Sequence, residues 1–135
     1  MSDFSTYTAD QVADWMSQGT VATPPDPIYI AVFDDTGTEV SDDFQNDRVE
    51  TAAGADWSFI DAEQTNFENA NAIDFGEAVG DVNNIEDVAL YDDTLANGGN
   101  EIARYTITDA PFDVADGSKL VFEGGELEFN VIQRT

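Results

Sequence analysis

The stretch Ile28-Tyr29-Ile30-Ala31-Val32-Phe33 decides the fold class of this chain. It is a run of β-branched and aromatic residues that ends in the turn-forming segment Asp34-Asp35-Thr36-Gly37. Because nearly every position is apolar, without the alternation of a half-exposed strand, we expect both faces to be covered. The preceding segment Thr23-Pro24-Pro25-Asp26-Pro27 is too rich in proline for a helix or a central strand. The sequence therefore predicts a central β-strand that begins directly after these prolines.

Shorter strand candidates follow, separated by Gly, Asn and Asp turns. Near the end, Leu127, Phe129 and Val131 alternate with polar residues, which is typical of a strand with one wet face. About eight short strands and a single helix favour a mainly β fold, an antiparallel β-sandwich or squashed barrel. The further candidates are Arg48 to Ala52, Trp57 to Asp61, Thr65 to Glu68, Ala72 to Phe75, Glu86 to Tyr91, Glu101 to Thr108, Ser118 to Phe122 and Glu126 to Ile132.

One helix is expected near the start of the chain. Thr8 with Gln11 three residues later fits a capping box, and Asp10 would then lie in the first turn. Gly19 is a natural end for this helix. One helical face carries the apolar residues, which are Val12, Trp15 and Met16.

We accordingly divide the chain into an N-terminal helical arm, residues 1–23, and a single β-sandwich domain, residues 24–135. The apolar stripe on the arm has two interpretations of equal weight. It docks into a neighbouring protein, or it packs on its own sandwich.

Acidic residues dominate the charge, since 29 Asp and Glu stand against 4 Lys and Arg and give a formal net charge of −25. An acidic disordered tail is excluded because 41% of the residues are hydrophobic and 11% are aromatic. Molar salt shortens the Debye length to about 3 Å and screens repulsion among such charges. We therefore expect a folded domain adapted to high salt, and calcium binding is the weaker explanation of the acidity.

The same charge disfavours binding to nucleic acids and to anionic membranes, both of which require clustered cations. No apolar run approaches the roughly 18 residues of a spanning helix. The segment Met1 to Thr6 has no basic region followed by an apolar one, so we expect no signal peptide.

The absence of His and Cys excludes the usual nucleophile and base pairs and the transition-metal sites. Carboxylate pairs of the glycosidase type would arise by chance among so many acids, so we expect no enzyme and no cofactor. Calcium is the better chemical candidate, because Asp34, Asp35, Asp92 and Asp93 follow strands and adjoin loops. Solvated turn carboxylates explain the same positions more simply.

Trp57, between Asp56 and Ser58, is the aromatic residue with the clearest potential for ligand contact. An exposed indole at the end of a strand stacks well on a sugar ring. Aromatic residues within strand patterns are more often core residues, which is the simpler interpretation.

Several phrases of the sequence resemble, in order and spacing, a family of small structural proteins of tailed viruses often labelled tail fibre proteins. The chain departs from that pattern at Gly80-Asp81-Val82-Asn83-Asn84 and at Asp42-Asp43-Phe44-Gln45-Asn46-Asp47, which concern loops. The matching phrases are Pro27-Ile28-Tyr29-Ile30-Ala31-Val32-Phe33, Thr36-Gly37-Thr38-Glu39-Val40-Ser41, Arg48-Val49, Ala72-Ile73-Asp74-Phe75, Val88-Ala89-Leu90-Tyr91-Asp92, Asn97-Gly98-Gly99-Asn100 and Asp116-Gly117-Ser118-Lys119-Leu120-Val121-Phe122.

The resemblance implies a non-enzymatic component on the outside of a virion, made in the host cytoplasm. With the acidic surface, it implies a tailed virus of a halophilic host. The expected partners are further copies of the chain, in a trimer or another cyclic assembly, and capsid or tail proteins. A capsid decoration or turret is nearly as well supported as a tail fibre. The alternative is a carbohydrate-binding β-sandwich module on the surface of a halophile, or on the viral fibre itself, that contacts host glycans.

Overall fold

The computed structural model describes residues 2–19, 25–60 and 66–130. Within these residues the protein is mainly β, with one α-helix near the start and a single 3₁₀ turn. The elements are β1 (Ser2–Phe4), α1 (Thr6–Gln18), β2 (Ile28–Asp34), the 3₁₀ turn (Ser41–Asp43), β3 (Val49–Thr51), β4 (Trp57–Phe59), β5 (Asn66–Asn69), β6 (Ile73–Glu77), β7 (Val82–Tyr91), β8 (Glu101–Thr106), β9 (Phe112–Val114), β10 (Lys119–Phe122) and β11 (Glu128–Asn130).

The largest sheet has the strand order β1-β8-β7-β2-β3, and β9 also pairs with β7. All its pairings are antiparallel, and Ile30 of β2 lies opposite Leu90 of β7 and Val49 of β3. β2 thus has a neighbour on each side and is buried on both faces, as its apolar sequence predicts. Ile30 and Val32 face the main core, whereas Ala31 and Phe33 belong to a second, smaller cluster on the other face.

Two smaller sheets, β10-β6 and β11-β5-β4, supply the rest of the main core. Large side chains from these strands, such as Phe75, Phe122 and Phe129, pack with Ile30 and Leu90 of the large sheet. The main hydrophobic core therefore lies between sheets, and the prediction of an antiparallel β-sandwich is confirmed. Burial of this aromatic-rich core is the principal force that stabilises the domain.

Asn69 is a fully buried amide at the end of β5. Its Nδ2 donates to the carbonyls of Asn71 at 3.0 Å and Glu123 at 2.9 Å, and its Oδ1 accepts from the Leu127 amide at 2.9 Å. The amide thereby bonds backbone groups at both ends of the turn between β10 and β11. A single buried side chain holds the two small sheets together at this end.

The helix α1, Thr6–Gln18, begins earlier than the sequence pattern suggests. Its N-cap is Ser5, whose Oγ accepts the Thr8 amide at 3.2 Å, so the prediction that Thr8 is the cap is wrong. Ser5 is the residue that precedes the helical dihedrals, and Asp10 accordingly lies beyond the first turn. The predicted end at Gly19 is confirmed, because this residue closes the helix with a left-handed φ of 68°.

β1 joins the N-terminal segment to the edge of the large sheet. Phe4 of β1 lies opposite Ala103 of β8, and its side chain packs against the main core. The Ser5 amide and the Thr8 Oγ1 both donate to the Ile102 carbonyl, at 2.8 and 2.9 Å. The first turn of α1 is therefore fixed to β8 by hydrogen bonds.

Three strand segments were not anticipated from the sequence: β1, β9 and the first half of β7. The segment Gly80-Asp81-Val82-Asn83-Asn84, expected as a loop, includes the start of β7, where Asn84 has a φ of 57° and the register shifts. A bulge of this kind hides the period of a strand in the sequence. The predicted strand bounds at residues 61, 65 and 132 lie outside the described residues.

Candidate docking surfaces

The apolar stripe predicted on α1 is exposed to solvent. The exposed fractions of Val12, Trp15 and Met16 are 52%, 54% and 73%. Every residue from 12 to 19 is exposed, because the contacts of α1 with β8 are made by its first turns. The second half of the helix thus projects from the domain with its apolar side chains uncovered.

The charges of α1 lie away from this stripe. Asp10 and Asp14 are exposed, and at about 100° per residue they fall on the side of the helix opposite Val12. Gln18 Nε2 donates to Asp14 Oδ1 at 3.4 Å on that polar side. The helix is amphipathic, and at its free end both the apolar and the polar face are exposed to solvent.

An apolar pocket of about 490 Å³ opens between β4, β5 and the start of β2. Trp57 forms part of its wall, yet only 9% of this residue is exposed and its Nε1 donates to Thr51 Oγ1 at 3.0 Å. Phe59, two residues further along β4, is 59% exposed. The lining residues are Ile28, Ala53, Gly54, Trp57, Ser58, Phe59 and Phe67.

Trp57 packs edge-on against Phe67 and Phe129, with ring centroids 5.8 and 5.9 Å apart. The indole is therefore largely a core residue whose rim reaches the pocket. Its proposed contact with a glycan stays a prediction. Phe59 is the aromatic side chain that this pocket presents to solvent, and the sequence pattern did not single it out.

Two aspartates hold the wall of the pocket formed by the loop between β3 and β4. Asp26 Oδ1 accepts the Ala53 amide at 3.2 Å, and Asp56 Oδ2 accepts the Ala52 amide at 2.7 Å. Asp56 Oδ1 also accepts Asn71 Nδ2 at 2.8 Å. The hydrogen bonds from Ala52 and Asn71 lower the pKa of Asp56 below its ordinary value.

The outer face of the large sheet carries a row of two arginines and two aromatic rings. The Arg48 guanidinium lies 3.9 Å from the Tyr91 ring centroid, and that of Arg104 lies 4.0 Å from the Phe33 centroid. The two rings stack at 6.3 Å with an interplanar angle of 16°. The two guanidinium groups thus cover the apolar faces of Tyr91 and Phe33 on this side of the sheet.

The calcium candidates Asp34 and Asp35 lie in the turn after β2. Asp34 Oδ1 accepts the Thr36 amide at 2.9 Å, the Thr36 hydroxyl at 2.6 Å and the Thr38 amide at 3.0 Å. These bonds, led by that of the Thr36 hydroxyl, lower the pKa of Asp34. Asp35 is exposed, and its amide donates to the Asn84 carbonyl.

Asp92 and Asp93 serve similarly in the turn after β7. Asp92 Oδ1 accepts the Asn100 amide at 2.6 Å, and Asp93 Oδ1 accepts Asn97 Nδ2 at 3.1 Å and the Thr94 amide at 2.8 Å. In the described part of the chain, no three acidic residues are grouped closely enough to hold a metal ion. The carboxylates of Asp34, Asp92 and Asp93 each cap a turn, and calcium binding stays a prediction.

None of the helices in residues 2–19, 25–60 and 66–130 is long and apolar enough to cross a membrane. The chain is a β-rich protein with two uncovered apolar surfaces, the stripe on α1 and the pocket beside Phe59. The sequence profile of the family described as "Podophage GP4 fiber I protein gp80" matches residues 3–130, nearly the whole chain, and the chain belongs to this family. The family is one of phage fibre structural proteins, which are components of the virion. No curated protein matches the chain.

The resemblance to tail fibre proteins of tailed viruses, based on short phrases of the sequence, is therefore confirmed. The pocket and the row of arginines and rings were not foreseen. The pocket is built from segments far apart in the chain, and no local pattern announces it. The arginines did leave a trace, because only four cations stand among 29 acidic residues, and two of the four are Arg48 and Arg104.

Proposed function

We propose that this chain is an exterior fibre protein of a tailed virus with a halophilic host, and that it acts by associating with itself and by docking to capsid or tail proteins. A capsid decoration or turret is the second exterior position that the same surfaces would serve. The observation that carries the proposal is the uncovered apolar stripe of Val12, Trp15 and Met16 on α1. Soluble monomers rarely leave a tryptophan and a methionine so exposed on one helix face without a partner.

The position of the stripe supports docking. The first turn of α1 is bonded to β8, so the helix leaves the domain in a fixed direction. A fixed direction lowers the entropy lost when the stripe enters a groove, which is the usual way that an amphipathic helix binds. The stripe is therefore presented as a preformed ligand for another protein.

The charge distribution supports a host that maintains high salt. Arg48 and Arg104 are engaged with Glu39, Glu101 and Asp87 inside the domain, and the other acidic residues have few cations to meet. A chain at −25 repels its own copies strongly in dilute buffer. Assembly of many copies on one particle is far easier in brine, where this repulsion is screened.

The test is incorporation of purified subunits into particles that lack this protein. A variant with Trp15→Ser and Met16→Ser should keep the fold, because both side chains are exposed, but should fail to join particles. The matched control is Asp10→Ser with Asp14→Ser on the opposite side of α1, which should incorporate normally. Normal incorporation of the Trp15 and Met16 variant would reject the stripe as the docking element.

Deletion of residues 1–23 is a poor test, because it also removes β1. β8 would then lose one of its two hydrogen-bonded neighbours, and Phe4 would be lost from the core. A failure to assemble could not be separated from a weakened fold. Point substitutions on the exposed half of α1 avoid this problem.

Carbohydrate binding is the alternative function, and the exposed ring of Phe59 beside Trp57 favours it. Stacking on apolar sugar faces would use this ring and the rim of the indole. A glycan array with wild type and Phe59→Ala tests it. Binding that Phe59→Ala abolishes supports a glycan site, and an array without any bound glycan rejects it.

A further inference from the structure

We infer that the apolar stripe of α1 in one copy seats in the pocket beside Phe59 in the next copy, so that the chain assembles head to tail. This inference rests on the proposed function, and it names the two surfaces through which self-association takes place. The stripe consists of Val12, Trp15 and Met16. The pocket is the cavity of about 490 Å³ described above.

The strongly negative charge of the chain favours contact between copies through these two uncharged surfaces. In a chain at −25, most pairs of surfaces would bring carboxylates face to face. The described residues that line the pocket include no charged side chain, and neither does the stripe. Asp10 and Asp14 point away from the stripe, so they do not approach the carboxylates of Asp26 and Asp56 that hold the pocket wall.

Shape favours the pocket over a pairing of α1 with α1. The three side chains of the stripe expose roughly 300–400 Å² per copy, which is small beside the roughly 800 Å² per partner that a stable interface buries, so the partner surface must enclose them closely. A convex helix is buried more completely when it enters a concave surface. The pocket provides such a surface, with walls from Ile28, Trp57 and Phe67 in addition to Phe59.

The volume and the lining of the pocket also suit the side chains of the stripe. A pocket of this volume lies within the range of about 300–1,000 Å³ that accommodates compact apolar groups. Its lining of aromatic and aliphatic side chains suits an indole and a thioether, since sulfur packs favourably against aromatic ring edges. Trp15 and Met16 are the two most exposed large apolar side chains on α1.

A head-to-tail contact has a distinctive consequence for symmetry. Each copy offers one stripe and one pocket at different places, so each copy makes two unlike contacts. Such heterologous interfaces close into a ring when the rotation permits and otherwise extend into a filament. The same two surfaces would therefore generate a cyclic assembly without any further contact.

Cysteine cross-linking tests the contact directly, because the natural chain contains no cysteine. Met16→Cys and Ser58→Cys variants, distinguishable by mass, are mixed in about 1 M salt so that repulsion is screened, and then oxidised. We expect a disulfide-linked pair that contains one copy of each variant. Asp10→Cys mixed with Ser58→Cys is the matched control, which should give no such pair.

Other products overturn the inference. Pairs linked through Met16→Cys alone would show α1 against α1, and a link within single molecules of a double-cysteine variant at high dilution would show closure of each chain on itself. An oligomer that gives no cross-link would reject these surfaces and leave self-association standing. A chain that stays monomeric at every salt concentration and never joins particles would reject both the inference and the proposed function.

Complementation provides a second measurement. Trp15→Ser removes the stripe and Phe59→Ser removes one wall of the pocket, and both side chains are exposed enough for the fold to tolerate the change. Each variant alone should be monomeric, whereas the mixture should form dimers and nothing larger, since one intact stripe meets one intact pocket. Full-sized assemblies from either variant alone would contradict the inference.

Discussion

Arg48 and Glu39 form a two-point ion pair in which Nε donates to Oε2 at 2.9 Å and Nη2 donates to Oε1 at 2.8 Å. The Arg48 side chain is 3% exposed and that of Glu39 is 16% exposed. The remaining Nη1 donates to the carbonyls of Asp93 and Gly98, at 2.9 and 2.7 Å. The Arg48 side chain thus links the segment around Glu39 to the loop after β7, and it donates hydrogen bonds to acceptors in both.

Replacement of this cation is expected to be costly. Arg48→Met should lower the free energy of unfolding by about 3 kcal/mol, because it leaves the Glu39 carboxylate and two carbonyls without their donor. Chemical denaturation at fixed salt measures the change. Arg104→Met is the control, since the Arg104 side chain is 29% exposed, and it should cost about 1 kcal/mol. Equal losses for both variants would contradict the special role of Arg48.

Neighbouring glycines in the turn after β7 should respond differently to alanine. A Cβ on Gly99 would lie 2.8 Å from Asp92 Oδ1 and 2.8 Å from the Asp93 Cβ, whereas a Cβ on Gly98 would meet nothing within 4 Å. Both have a positive φ, of 73° and 81°, so each substitution carries the cost of a left-handed alanine, about 1 kcal/mol.

Gly99→Ala should therefore destabilise the domain clearly more than Gly98→Ala, because it also displaces the carboxylate that caps Asn100. Thermal unfolding of the two variants under one set of conditions makes the comparison. Similar melting temperatures would show that the turn has room to adjust around a methyl group at either position.

The stability of the whole domain should increase with salt. Glu68 of β5 and Glu128 of β11 lie directly opposite each other, which illustrates the repulsion between neighbouring carboxylates. Raising salt from about 0.1 M to about 1 M shortens the Debye length from about 10 Å to about 3 Å and should raise the melting temperature.

The matched pair of variants for this prediction is Glu128→Lys and Glu123→Lys. Both make the same change in net charge, but only Glu128→Lys replaces a repulsive cross-strand pair by an attractive one. Glu128→Lys should gain more at low salt, and the difference should disappear at high salt. A melting temperature that does not depend on salt would remove the basis for a halophilic host.

Asp34 should contribute to the dependence of stability on pH. Its three hydrogen bonds all reach Oδ1, so Asp34→Asn keeps an acceptor at that position and removes only the charge. The pKa of Asp34 is lowered in the folded protein from its ordinary value of 3.8. A lowered pKa stabilises the folded state above 3.8, and this contribution is lost as pH falls through 3.8 and then through the folded pKa.

Wild type should accordingly exceed Asp34→Asn in stability at pH 7, and the gap should close in acid. High salt during the denaturation series screens the general effect of removing one negative charge. A gap that stays constant between neutral pH and strongly acidic conditions would show that the turn does not depend on the charge of Asp34.

The sequence predicts a strand well where nearly every residue of a segment is apolar and buried. β2 is apolar on both faces, and its place inside the large sheet follows from that pattern alone. β1 could not be foreseen, because Ser2-Asp3-Phe4 contains a single apolar residue and is defined by its pairing with β8. Pairing of this kind depends on distant residues, and propensity carries little information about it.

The two candidate surfaces also differ in how far the sequence predicts them. The stripe on α1 follows from spacing within one helix, and its residues were identified correctly as one face. Its exposure depends on how α1 meets β8, which local spacing does not determine. The pocket needs Ile28, Trp57 and Phe67 at once, and these residues come together only through three different strands.

The bond between Thr8 and Ile102 joins residues 94 positions apart. The β8 backbone that binds the first turn of α1 lies late in the sequence. It is therefore synthesised after most of the polypeptide. A ribosome-bound fragment that ends before this point has nowhere to seat its first turn. The direction in which α1 leaves the domain is therefore set only in chains that already include β8.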